Sequence, residues 1–296
     1  MTTFTRRGVL STGAAFSISM ALPRVLSAAE PLRLTSVKFG SLSWVIDTIR
    51  TEGIDKKQGL DLKIIDVATN PAAPVALLSG AADVIVSDWT WALRQRARGD
   101  DLKFFPYSSS LGSVMVAKDS PIKSLGDLKG KKIGVAGTGI DKSWILLRAY
   151  SRKALGKDIA ELAEPVFGAA PLVSEEFKNG RLDAVLNFWT YAARLKAGGA
   201  TELLTMADVI KGLGVSPTPA LVGFIWSEKA AREKSLPIDK LLAAVDEADS
   251  VLAKSDAAWQ RLRPLIRPAS DAELVAIREY YRSGITRSWG AADTAA

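Results

Sequence analysis

The sequence predicts an α/β protein of two similar lobes joined by a hinge, with helices at its C-terminal end. Three observations carry this prediction: a block that repeats at an offset of 100 residues, an alternation of strand and helix patterns within each copy, and two β-rich crossings between the copies.

The repeat is read without a gap. Gly80–Gly99 and Gly180–Gly199 share eight of twenty positions: Gly80/Gly180, Asp83/Asp183, Trp89/Trp189, Thr90/Thr190, Ala92/Ala192, Arg94/Arg194, Ala97/Ala197 and Gly99/Gly199. Average composition gives roughly one or two such matches. The same offset pairs Ser43-Trp44 with Ser143-Trp144 and Pro71 with Pro171.

In the first copy, 32–39 is a strand, 43–58 a helix, 60–67 a strand, 72–79 a helix, 83–87 a strand and 89–98 a helix. The second copy repeats the series as 131–136, 142–155, 165–167, 171–179, 183–187 and 189–196. Strands alternating with helices imply parallel sheets, with binding sites at the carboxyl ends of the strands. The β-rich runs 113–118 and 220–226 are read as the crossings, and the helical tail, 238–254 and 271–283, as packing on the outside. One lobe then holds residues 30–115 plus 218–296, and the other 116–217.

The 296 residues are 48% hydrophobic and 24% charged, enough apolar material for a sizeable core. Histidine and cysteine are absent. This excludes Ser-His-Asp and Cys-His nucleophile systems, thiolate or imidazole metal sites, and disulfides. No cofactor and no metal site are expected. The remaining Asp, Lys and Tyr show no catalytic spacing, so the chain is not read as an enzyme.

Residues 1–29 read as an export signal. Arg6-Arg7 precedes sixteen uncharged residues, Gly8 to Pro23, and Ser27-Ala28-Ala29 places small residues at a cleavage site after Ala29. The paired arginines suggest twin-arginine translocation, with an ordinary Sec signal as the other reading. Without its three arginines the net charge falls from +7 to +4, so no nucleic-acid footprint is indicated. No segment is apolar enough for membrane insertion. The expected mature protein is a periplasmic monomer.

The run Val116–Val135, with Ser120-Pro121, Leu125-Gly126-Asp127-Leu128-Lys129-Gly130 and Ile133-Gly134-Val135, resembles the interlobe signature of importer-associated binding proteins. With Gly80-x-x-Asp83 and Gly180-x-x-Asp183-Ala184, the chain resembles the nitrate/sulfonate/taurine substrate-binding family of ABC transporters over roughly residues 32 to 285. The resemblance implies a type II periplasmic-binding-protein (venus-flytrap) fold that closes on one small molecule and delivers it to an inner-membrane ABC permease. One branch of that superfamily makes the thiamine pyrimidine and consumes its own histidine. This chain has none, so that activity does not carry over. Where family members often have Trp-Glu-Pro, this chain has Phe188-Trp189-Thr190, which puts a taurine-like ligand in doubt.

The candidate ligand residues lie on strand-to-helix turns, where free N–H groups favour an anion. They are Ser41 and Ser43 in the first turn, Gly137 and Thr138 in its counterpart, Asp88 and Trp89 after the third strand, and Asn187, Phe188 and Trp189 at the equivalent place. Ser41, Ser43 and Thr138 are also read as helix caps, and Asp88 as either a cleft carboxylate or a cap. Trp91, Tyr191, Trp44 and Trp144 are assigned to packing, and Arg94, Arg96 and Arg98 to a solvated helix face. The run Tyr107–Gly112 is expected to reach the cleft. The resulting function is a solute receptor for an organic molecule with an anionic group: sulfonate-, taurine- or nitrate-like, or an aromatic acid. The alternative is a non-transport accessory protein of a periplasmic oxidoreductase.

Overall fold

The computed structural model describes residues 30–38 and 40–286. Residues 1–29, expected as an export signal, and Phe39 lie outside the described residues.

The chain runs β1 (Leu32–Val37), α1 (Leu42–Thr51), α2 (Ile54–Gln58), β2 (Leu62–Val67), α3 (Ala72–Leu78), β3 (Ile85–Asp88), α4 (Trp89–Arg96) and β4 (Leu102–Ser108). The second series is β5 (Ser113–Val116), β6 (Lys132–Ala136), α5 (Lys142–Leu155), α6 (Ile159–Leu162), β7 (Glu164–Gly168), α7 (Ala170–Lys178), β8 (Ala184–Asn187), α8 (Trp189–Ala197), β9 (Thr201–Thr205) and α9 (Met206–Leu213). Then come β10 (Val222–Ser227), α10 (Glu228–Glu233), α11 (Ile238–Lys254), α12 (Asp256–Arg261), α13 (Arg263–Ile266) and α14 (Asp271–Gly284).

The offset of 100 residues is a structural repeat. β1, α1, α3, β3 and α4 recur as β6, α5, α7, β8 and α8. Strands β7-β6-β8-β5-β9 form one five-stranded sheet. In the first half, β1-β2 and β3-β10-β4 are separate ladders joined by a single parallel bridge, Leu34 to Val84, which gives the matching order β2-β1-β3-β10-β4.

The expectation of parallel sheets holds for β1-β2, β6-β7 and β6-β8 but not throughout. β5 is antiparallel to β8 and β9, and β10 is antiparallel to β3 and β4. Both runs read as crossings are therefore sheet strands, because each supplies ladder partners to an otherwise incomplete sheet. The irregular crossings are 109–112 and 214–221. Gly112 marks the first: a Cβ there would lie 1.8 Å from the Asn187 carbonyl oxygen, so only glycine lets the chain pass.

The helix expected over 43–58 is two helices, because Gly53 adopts φ 68° and ends α1. The edge strands β4 and β9 carry interspersed polar residues, and their patterns do not mark them as strands.

The Gly-x-x-Asp signature has a backbone role. Gly80 and Gly180 turn at φ 73° and 71°. Asp83 then accepts from the Arg33 backbone N–H at 3.1 Å, and Asp183 from that of Lys132 at 2.8 Å. Each carboxylate thus satisfies a donor at the start of the neighbouring strand.

The C-terminal helices do not merely cover the outside. Leu241, Ala244, Ala248 and Leu252 of α11 and Ile277 of α14 are fully buried in one cluster with Leu32, Leu34, Trp44, Val45 and Ile49. Their spacing of three and four residues gives each helix an apolar stripe, and each fully buried Leu or Ile contributes about 1.5–3 kcal/mol. The β5–β9 sheet has separate clusters on its two faces, around Trp144 and Leu147 and around Met115 and Val173. α8 joins the halves: Trp189 and Ala193 belong to the α11/α14 cluster, and Arg194 binds Glu273 and, at 2.6 Å, the Ile266 carbonyl.

Candidate ligand-binding site

A cavity of about 570 Å³ lies at the carboxyl ends of the parallel strands, walled by both sheets' turns. The N-terminal ends of six helices reach it: α1 at Ser41 and Leu42, α3 at Asn70 and Pro71, α4 at Asp88, α5 at Asp141–Ser143, α7 at Ala169–Pro171 and α8 at Phe188–Thr190. This follows from the topology, since every strand-to-helix turn after a parallel strand opens on the same edge. Five of these ends present N–H groups without intrahelical partners; at α3 the Ala72 and Ala73 N–H groups bond the Thr69 and Asn70 carbonyls, and Pro74 has none to offer.

Two ends are capped by their own carboxylates. Asp88 accepts from the Trp91 N–H at 2.9 Å and from the Thr90 hydroxyl. Asp141 accepts from the Ser143 N–H at 2.9 Å. The ends of α1, α3, α7 and α8 have no side-chain cap. Two cations, Arg94 and Lys142, line the same space. Arg94 donates to Thr90 at 3.3 Å, and among the described residues neither cation pairs with a carboxylate. The two cations offset the two carboxylates, and the uncapped ends of α1, α7 and α8 then suit the site to an anion. Trp91, Ile140, Phe188 and Tyr191 supply apolar wall, and Ile140 is 77% exposed.

Of the residues expected from sequence, Ser41, Asp88, Gly137, Thr138, Phe188 and Trp189 line the cavity. Gly137 has φ 99° and donates to the Gly168 carbonyl at 2.8 Å, and this turn carries Thr138 to the wall. Trp189 reaches the wall as part of the aromatic cluster around Trp44. Ser43, Trp89 and Asn187 do not line it. The Ser43 hydroxyl is spent on the Gly40 carbonyl at 2.8 Å. Asn187 is 1% exposed; its amide donates to the Ala170 carbonyl at 3.0 Å and Ser174 Oγ at 2.8 Å, which fastens α7 to β8.

Trp91 and Tyr191, expected as packing, line the cavity instead. Residues two apart on a helix point about 200° apart, so Trp91 and Trp89 leave α4 on opposite sides. Arg94, expected on a solvated face, lies one turn beyond Trp91 and faces the cavity. The ends of α3 and α7 were missed, although Pro71 and Pro171 marked them as equivalent. Tyr107, Ser108, Ser110, Leu111 and Gly112 reach the site as expected. Tyr107 is buried, and burial raises its ionisation far above the usual phenol range. Trp44 and Trp144 are core, as expected.

Among the described residues no cluster of metal-ligating side chains occurs, and no helix is long and apolar enough to cross a membrane.

The NMT1/THI5-like family model matches residues 52–256. A Haemophilus influenzae protein named for thiamine biosynthesis is 33% identical over 138 residues; the match covers 46% of this chain and less than half, 42%, of that relative's length. The alkanesulfonate-binding protein SsuA from Xanthomonas axonopodis pv. citri, bound to MOPS, superposes with a TM-score of 0.70 at 19% identity over 89% of each chain. The periplasmic aliphatic sulphonate binding protein SsuA from Escherichia coli also gives 0.70, at 20% identity over 90% of this chain and 83% of that one. The chain shares the two-lobed fold of these binding proteins, and, with well over half of its sequence matched by the family model, it belongs to the NMT1/THI5-like family.

Proposed function

We propose that this chain is a periplasmic solute receptor of an ABC importer and binds a small organic anion between its lobes without transforming it. The observation that carries the reading is the convergence of five helix N-termini with Arg94 and Lys142 on one cavity whose two carboxylates are already bonded. An exposed helix terminus favours an anion by about 0.3–1 kcal/mol, and a charge-assisted hydrogen bond adds about 1.5–3 kcal/mol. Together with apolar contact to Trp91 and Tyr191, these terms reach the roughly −8 kcal/mol of a micromolar receptor.

The sulfonate ligands named for two structural relatives support a sulfonate or carboxylate head group with an apolar or flat body. The thiamine name of the Haemophilus influenzae relative adds a pyrimidine to the panel of candidates. The lobes are assigned as 30–108 with 222–286, and 113–213, moving about the crossings 109–112 and 214–221; the boundary expected at 115/116 shifts because β5 pairs with β8 and β9. The expected export signal fits periplasmic delivery to a permease.

The test is intrinsic fluorescence of ligand-free protein titrated with alkanesulfonates, aromatic carboxylates, pyrimidines and amines. Trp91 at the cavity wall should report binding by a saturable change with the anions. Silence toward every anion, with the protein folded, defeats the reading.

A further inference from the structure

Two rings at equivalent places in the repeat reach the ligand cavity. Trp91 is the third residue of α4 and Tyr191 the third residue of α8, and both line the cavity wall. The flanking aromatic pair is otherwise engaged. Trp89 does not line the cavity, and the Trp189 ring lies 5.8 Å from Trp44 and 6.0 Å from Tyr281. Among the described residues neither Trp91 nor Tyr191 is paired with another ring.

Each ring is backed by the core of its own half. Trp91 packs against the cluster that holds Ile85 and Leu102, and Tyr191 against the cluster that holds Met115 and Val173. Both side chains are half-buried, so each keeps part of its surface for the cavity. Their helices also start beside the two crossings. Asp88, just before α4, stands opposite Val222 at the start of β10, and the Trp89 N–H donates to the Leu221 carbonyl at 3.2 Å. Asn187, two residues before α8, stands opposite Ser113 at the start of β5, where Gly112 passes against its carbonyl. Points beside a hinge move least when the lobes turn about it. The two rings are therefore a firm part of the wall.

The cations are not placed with the same symmetry. Arg94 lies one turn beyond Trp91 and lines the cavity. Its equivalent on α8, Arg194, is turned away to Glu273 and, at 2.6 Å, to the Ile266 carbonyl. A ring beside Trp91 thus carries its charged group within reach of Arg94.

We infer that Trp91 and Tyr191 are specificity-determining residues that take a flat ring between them, so that the ligand is an aromatic sulfonate or carboxylate and not an aliphatic one. The inference rests on the anion-receptor reading above and narrows it. An aromatic ring offers one face to each side chain, and its quadrupole favours offset or edge contact with both. A saturated ring of the same carbon number is thicker and has no such quadrupole.

The experiment compares benzenesulfonate with cyclohexanesulfonate, which share charge, head group and carbon number, by calorimetric titration of the mature chain. Benzenesulfonate should bind about tenfold more tightly, as expected for two favourable ring contacts. Trp91→Leu and Tyr191→Leu should each shrink that ratio by about threefold or more. Tyr191→Phe, which keeps the ring and removes only the hydroxyl, should retain the ratio. Denaturant unfolding confirms that each variant is folded, and the wild-type ratio tests the inference without any variant. Equal affinity of the wild type for the two sulfonates, or a ratio that survives in both Leu variants, overturns the sandwich while leaving the receptor reading intact. Absence of binding by either sulfonate defeats the receptor reading and the sandwich with it.

Discussion

Trp44 and Trp189 meet edge to face, their ring centroids 5.8 Å apart at an interplanar angle of 90°. Trp44 stands on α1 of the first copy and Trp189 on α8 of the second, so one aromatic contact ties the repeated units together. Trp259 and Tyr281 complete the cluster, with centroids 5.9 and 6.3 Å from Trp44. An edge-to-face pair adds about 0.5–1.5 kcal/mol beyond the burial of its area.

Trp189→Ala should therefore act on stability first. Removing this side chain should cost about 3–5 kcal/mol, because α8 and α14 are held by it and have no room to collapse. Denaturant unfolding checks this: a loss below about 1 kcal/mol would show that the cluster is not cohesive.

Arg94→Ala and Lys142→Ala should leave the unfolding midpoint nearly unchanged and weaken sulfonate binding. Loss of one charged hydrogen-bond donor corresponds to about 1–3 kcal/mol, or about five- to a hundredfold in Kd. Fluorescence titration of each variant measures it. Equal affinity in both would place the anion elsewhere.

The twin carboxylates of the repeat should differ in importance. Asp83 has a side chain 3% exposed and is bonded by Arg33 and Lys234, whereas Asp183 is 41% exposed. Burial alone would push the Asp83 carboxyl up, but hydrogen bonds from Arg33 and Lys234 outweigh it and hold it below the usual range. Its stabilisation is thus present above the unfolded carboxylate range and lost as pH falls through the folded one. Asp83→Ala should cost about 2–4 kcal/mol, and Asp183→Ala about 1 kcal/mol or less, by denaturant unfolding near neutral pH.

Asp249 should give the opposite pH slope. Its carboxyl is raised to about 7, so between the ordinary carboxylate range and neutrality the folded state holds a proton that the unfolded state has released. Stability should fall as pH rises across that interval and level off above it. The integrated effect is on the order of 4 kcal/mol at most. Asp249→Asn should abolish the slope and be more stable than wild type at alkaline pH, as read from thermal unfolding against pH.

Gly112→Ala should unseat the first crossing. The added Cβ would collide with backbone, not with a flexible side chain, so β5 and β8 must separate near Asn187. A loss of about 2 kcal/mol or more in stability, together with weakened anion binding, is the expected result.

The repeated elements, the two-lobed class and the glycine turns around the cavity were legible in the sequence because they depend on local patterns: helical and strand periodicity, helix ends, and an offset that aligns Trp89 with Trp189. The tertiary structure decided what each aromatic does. Trp91 faces the cavity, while Trp189 serves both the wall and the core, because α8 alone is backed by α14 and its Tyr281. It also decided the antiparallel places of β5 and β10, which depend on partners far along the chain, and the bond from Tyr281 of α14 to Asp249 of α11. Sequence patterns report which face of an element is apolar. Which polar groups meet behind that face is determined only when the packing brings them together, and there the cost of an unpaired buried donor selects the arrangement.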